Sequence, residues 1–215
     1  MSREEFNRLF RESTKENKLI EKILNVVRKQ RRDLCKKKLP VIWLETNDSG
    51  DNNISFMNST FPYLEDIFQE MIDLLYSNTF MAAQGKDAVK ILEQAAKMYS
   101  GEYTLVVEGA VPVRDNGLYT IIFTTQKQKI TALEAVTDLG KRAKYVVAAG
   151  TCASFGGPSA ARPNITGSIS VQEVLQREVI NVSGCPVNPD WLVGTLAHLL
   201  LYGRPELDER GRPTL

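Results

Sequence analysis

Tyr145-Val146-Val147-Ala148-Ala149-Gly150-Thr151-Cys152-Ala153-Ser154-Phe155-Gly156-Gly157 is an uncharged apolar run that empties into small and turn-forming residues around a thiol. A short run of that kind fits a strand buried on both faces, the habit of parallel sheets. The design recurs where the apolar residues 179–182 feed Ser183-Gly184-Cys185-Pro186-Val187-Asn188-Pro189. Open α/β sheets place ligands at the carboxyl ends of their strands, and glycine there lets backbone approach closely. Two such loops on neighbouring strands would aim Cys152 and Cys185 at one point.

Outward from these loops the chain alternates between strand and helix patterns. Residues 39–44 read as a buried first strand and 61–75 as the first crossover helix, with Leu64, Ile67, Phe68, Met71, Ile72 and Leu75 at helical spacing. Further helices are expected at 86–99, 131–140 and 189–202, and strands at 103–107, 145–149 and 179–182. Residues 120–123 and 129–130 suggest a short hairpin. This order implies an open parallel sheet with helices on both faces.

Composition sets bounds on the rest. With 215 residues, 43% of them hydrophobic, and a net charge of +1, the chain is long enough for one domain with a substantial core. No apolar run approaches the roughly 20 residues needed to span a membrane, and Met1-Ser2-Arg3-Glu4-Glu5 lacks the apolar core of a secretion signal, so a cytoplasmic protein is expected. Three cysteines, an odd number, suit metal binding, redox chemistry or packing better than a disulfide scaffold. Residues 1–38 hold 13 Lys/Arg against 6 Asp/Glu, which leaves 14 against 20 in residues 39–215. A basic extension therefore precedes a mildly acidic body. Phe6, Leu9 and Phe10, then Leu19, Ile20, Ile23, Leu24 and Val27, recur at helical spacing, so amphipathic helices packing on the body or on a second copy are expected. The runs Arg28-Lys29-Gln30-Arg31-Arg32 and Lys36-Lys37-Lys38 carry no aromatic interleaving, and nucleic acid is not the expected partner.

Val41-Ile42-Trp43-Leu44, Val107-Glu108-Gly109-Ala110-Val111-Pro112, Arg114-Asp115-Asn116-Gly117, the two cysteine loops, Pro189-Asp190-Trp191-Leu192 and Gly203-Arg204-Pro205-Glu206 follow one another in a familiar order. Over residues 39–213 they resemble the amino-terminal domain of nickel-iron hydrogenase small subunits. The resemblance implies a flavodoxin-like domain that holds a proximal four-iron four-sulfur cluster and exchanges electrons with a nickel-iron large subunit. Cys152 and Cys185 match two of that cluster's four ligands. The other two fall in a loop that departs from the pattern, where Ser49 and Asn52 take the ligand positions and Ile54 that of a glutamate implicated in proton transfer. Clusters are held mainly by four thiolates, so one chain is not expected to assemble the family's cluster or to activate hydrogen by itself. Residues 203–215 end where the family continues into a second cluster-bearing domain, so no further cluster is expected.

The leading expectation is an electron-transfer or redox-sensing homodimer, in which Cys152 and Cys185 of each chain complete a 4Fe-4S iron-sulfur cluster on a two-fold axis. The alternatives are a dithiol/disulfide switch, a cluster-free scaffold, and an accessory subunit bound to a redox partner or a hydrogenase-type large subunit. Glu108, ending an apolar strand, is either a working carboxylate or an acceptor for loop amides. Asp48 and Asp51 offer oxygen ligands or belong to a polar turn. Cys35 reads as a surface thiol without a paired ligand, and His198 as a packed residue on an apolar helix.

Overall fold

The computed structural model describes residues 2–12, 25–26, 29, 38–60, 62–124 and 129–214. Its centre is β1 (Leu39–Glu45), whose Val41, Ile42, Trp43 and Leu44 are wholly buried. Four more strands run parallel to it: β2 (Ile72–Ser77), β3 (Thr104–Glu108), β7 (Tyr145–Ala149) and β9 (Ile180–Val182), in the spatial order β2-β1-β3-β7-β9. That is the flavodoxin-like arrangement, with the winding direction reversing between β1 and β3. Two antiparallel pairs lie outside it, β4 (Val111–Pro112) with β8 (Ser168–Ile169), and the hairpin β5 (Ile121–Thr124) with β6 (Lys129–Thr131).

Alternate side chains divide the core between the two faces of the sheet. Val41, Trp43, Val106, Val147 and Ile180 face α2 (Asp51–Met57) and α8 (Pro189–Tyr202), meeting Phe56, Leu192 and Leu196. Ile42, Leu44, Leu105, Val107 and Val146 face α4 (Gly85–Met98) and α5 (Ala132–Arg142), meeting Leu92, Ala96, Val136 and Leu139. Local chemistry fixes where helices begin. Thr131 and Glu134 form a reciprocal capping box at α5, and the Asn188 side chain accepts from the backbone of Asp190 and Trp191 just ahead of Pro189 in α8.

The predicted helix at 61–75 is only partly present. Helix α3 (Leu64–Asp66) passes into a wide π-helical turn at Ile67–Met71, and Ile72 begins β2 instead of another helical turn. Pairing with β1, from Leu39 against Ile72 to Trp43 against Ser77, overrides the helical spacing. The polar loop after β1 is also more ordered than its composition implies, because residues from Asp51 onward form α2. Cys152 lies in a short helix, α6 (Gly150–Phe155), while α7 (Val171–Leu175) escaped sequence notice.

Helix α1 (Arg3–Glu12) spans Phe6, Leu9 and Phe10, the first group at helical spacing in the basic extension; the second, Leu19, Ile20, Ile23, Leu24 and Val27, lies outside the described residues. Phe6 is completely buried, edge-on to His198 at 5.6 Å and Tyr202 at 5.4 Å between ring centres. His198 and Tyr202 lie toward the far end of α8, about 14 and 20 Å along the helix from its start at Pro189. Cys35 and the basic runs, apart from Lys29 and Lys38, lie outside the described residues.

Candidate functional site

Register brings the strand ends together. Glu45 pairs with Glu108, Glu108 with Ala149, and Ala149 with Val182, so four parallel strands stop in line and their loops emerge side by side. The β1 and β3 exits are knitted together by Asn47 and Ala110, whose backbones exchange hydrogen bonds of 3.2 and 3.1 Å, and by the Thr46 hydroxyl, which donates to the Glu108 carbonyl at 2.8 Å. Gly109, at φ 94°, lies so close that a Cβ there would come within 2.7 Å of the Asn47 backbone.

The cysteine loops are joined in the same way. The Thr151 N–H donates to the Gly184 carbonyl at 2.8 Å, and the Gly184 N–H to the Thr151 hydroxyl at 3.1 Å. Each thiol is one residue beyond this link. Cys152 is half-buried and Cys185 exposed, and both are free thiols. The Cys185 thiol points to the Asp51 carboxylate, with Sγ 3.8 Å from Oδ2. Burial pushes the Cys152 thiol up, and negative charge at Cys185, Asp51 and Asp48 pushes it further. The Thr151–Gly184 bonds place the two cysteines in adjoining loops at one edge of the sheet.

Glu108 lies beneath this surface, 0% exposed. Its Oε1 accepts from the backbone N–H groups of Asn52 (3.1 Å) and Asn53 (3.3 Å), and its Oε2 from the Trp43 indole (3.2 Å). Those donors favour the ion, but burial and the neighbouring Asp48 charge outweigh them, and the carboxyl is raised to about 7. Asp48 is raised to about 6, again chiefly by burial, although Gly50 donates to its Oδ1. Its Oδ2 is buried without a partner among the described residues. Residues 46–58, 150–157 and 183–191 contain Asp48, Asp51 and Asp190 but no Lys or Arg, so the rim is acidic. It also bears exposed apolar side chains: Ile54 (54%), Trp191 (50%) and Phe155 (45%).

Asn52 and Trp43 are site residues that the sequence did not single out for these roles. Asn52 is buried, its Oδ1 accepts from the Val187 N–H at 2.8 Å, and its Nδ2 donates to Asp51 at 3.2 Å. His198, as expected, is packed: its Nδ1 donates to the Gly203 carbonyl at 2.8 Å, and burial lowers its basicity.

A four-thiolate cluster does not fit one chain. The sequence has three cysteines, and among the described residues two thiols reach the surface, Ser49 is an exposed hydroxyl, and the Asn52 side chain is already spent on protein hydrogen bonds. Among the described residues, no three His, Cys, Asp or Glu side chains converge to hold a metal ion. None of the described helices is long and apolar enough to cross a membrane.

Residues 50–199 match the family described as NADH ubiquinone oxidoreductase, 20 Kd subunit. The chain is 37% identical over 196 residues to the small subunit of the periplasmic [NiFeSe] hydrogenase of Desulfomicrobium baculatum, covering 83% of this chain and 62% of that protein. It is 36% identical over 177 residues to the hydrogenase-2 small chain of Escherichia coli K12, covering 81% of this chain and 46% of the relative. The crystal structure of the reduced, active Ni-Fe-Se hydrogenase of D. baculatum superposes with a TM-score of 0.78 and 36% identity, over 82% of this chain and 70% of that one. The chain thus spans about half to three-fifths of the length of these curated relatives.

Proposed function

The chain belongs to the NADH ubiquinone oxidoreductase 20 Kd subunit family, and from that premise we propose that it is a redox subunit of the hydrogenase small-subunit kind, with Cys152 and Cys185 as its working groups. Each chain contributes two thiolates, and a second copy related by a two-fold axis contributes two more, completing the set for one four-iron four-sulfur cluster. Such a cluster, when bound, supplies one-electron transfer. The protein's own share is to hold the sulfurs at one place, to keep the Glu108 carboxylate beneath them, and to exclude water with the apolar rim.

The observation that carries this reading is the link between Thr151 and Gly184, which sets both thiols at the same edge of the sheet, one of them exposed. The rim supports self-association, since a two-fold contact would cover Ile54, Phe155 and Trp191 of both chains. Association with a hydrogenase-type large subunit is the competing assembly, favoured by the relatives being small subunits. Purification without oxygen, followed by iron and sulfide analysis and native mass, separates the two. A brown dimer with one cluster per two chains supports the shared site, while copurification of a nickel-bearing chain supports the other assembly.

A further inference from the structure

Asn52 touches both segments that present a thiol, each at a point two residues from the cysteine. On the Cys185 side its Oδ1 accepts from the Val187 N–H at 2.8 Å, a bond between residues 135 positions apart. Val187 in turn bridges back to Gly184, closing a tight loop around Cys185 and Pro186, and the neighbouring Ser55 hydroxyl donates to the Val187 carbonyl at 2.6 Å. On the Cys152 side the Asn52 amide fills the space beside Gly150, where a Cβ would come within 2.6 Å of Oδ1 and 2.7 Å of Nδ2. Its backbone N–H is anchored on Glu108. The bonds between Thr151 and Gly184 join the two loops directly, and Asn52 adds a second contact to each, at Val187 and beside Gly150.

We propose that Asn52 is the positioning residue of the thiol pair, a clamp that fixes the separation of Cys152 and Cys185 in the protein without any metal. This rests on the reading of those thiols as the working groups. It also explains why the position makes no ligand: the side chain has exchanged a place in a coordination shell for a hydrogen bond that holds the two remaining ligands. A side chain of this size that lacks an acceptor would fill the gap beside Gly150 and leave the Val187 N–H buried and unpaired.

The test uses reduced, iron-free protein carrying Cys35→Ser, titrated with phenylarsine oxide. Capture forms two As–S bonds, the arsenic-bound oxygen leaves as water with both thiol protons, and arsenic stays trivalent. Wild-type Asn52 should give one arsenical per chain with both thiols blocked. Asn52→Leu should weaken capture about tenfold or more, the worth of one buried hydrogen bond, while a monothiol reagent still counts two cysteines. Asn52→Ala, which loses the same acceptor without adding charge beside Asp51, should weaken capture at least as much as Asn52→Leu. Undiminished capture by folded Asn52→Leu overturns the proposal. So does undiminished capture by folded Asn52→Ala, no capture by wild type, or loss of the circular dichroism of the fold in both variants. The titration needs no iron, so its outcome is independent of whether two chains share a cluster.

Discussion

Replacing Glu108 by Gln should make the metal-free protein more stable at neutral pH. The carboxyl is fully buried, receives three N–H donors and still titrates at about 7 against an ordinary 4.5, because burial and the Asp48 charge penalise its ion. A carboxyl raised in this way holds its proton in the folded state after the unfolded chain has released it. Its stabilising share is therefore complete below pH 4.5 and is lost as pH rises through about 7. The shift corresponds to about 3 kcal/mol, a large part of a typical domain's stability. Asp48 acts in the same direction between 3.8 and about 6, diminished by its contact with water. Gln keeps one acceptor oxygen but no titration, at a cost of about 1 kcal/mol for the donor left poorly matched. Urea unfolding of reduced, iron-free protein at constant ionic strength, from pH 4.5 to 8, should show wild type losing about 3 kcal/mol relative to Glu108→Gln. Parallel profiles, or a wild type that gains on the variant with rising pH, would refute the view that burial outweighs the three donors.

Other perturbations have outcomes as definite. Gly150→Ala adds a Cβ at φ 86° within 2.6 Å of Asn52, so it should lower the melting temperature and impair arsenical capture together; a fall in one without the other would separate fold from thiol geometry. Cys152→Ser and Cys185→Ser should each abolish colour and iron in protein made without oxygen, and Cys35→Ser should abolish neither, as absorbance and iron analysis will report. Phe6→Ala removes the buried ring from between His198 and Tyr202 and should speed proteolysis within residues 1–12 while the body melts within a few degrees of wild type. An unchanged cleavage rate would mean that other contacts hold α1.

Much of the architecture was legible because it rests on short-range signals. The charge-free run from Tyr145 to Ala149 has no half-exposed reading, and Phe6 with its helical neighbours marks a one-sided helix. The edge strand β2 was not legible, since Ile72 and Leu75 continue a helical spacing and only β1, some 30 residues earlier, makes them extended. The thiols were found from glycine and proline placed after apolar runs. Asn52 escaped because its role depends on Val187 and Gly150, partners roughly 100 or more positions away, and an Asn-Asn pair in a polar loop reads first as a turn. Glu108 showed as a strand-end carboxylate, but its burial and its Trp43 partner are properties of the assembled sheet.

The most direct test of the central claim is native mass spectrometry of protein purified without oxygen, combined with iron and acid-labile sulfide analysis. The account predicts a dimer whose mass excess and chemistry correspond to one four-iron four-sulfur cluster for two chains. A single chain carrying a complete cluster, or a dimer with neither iron nor sulfide, would contradict it.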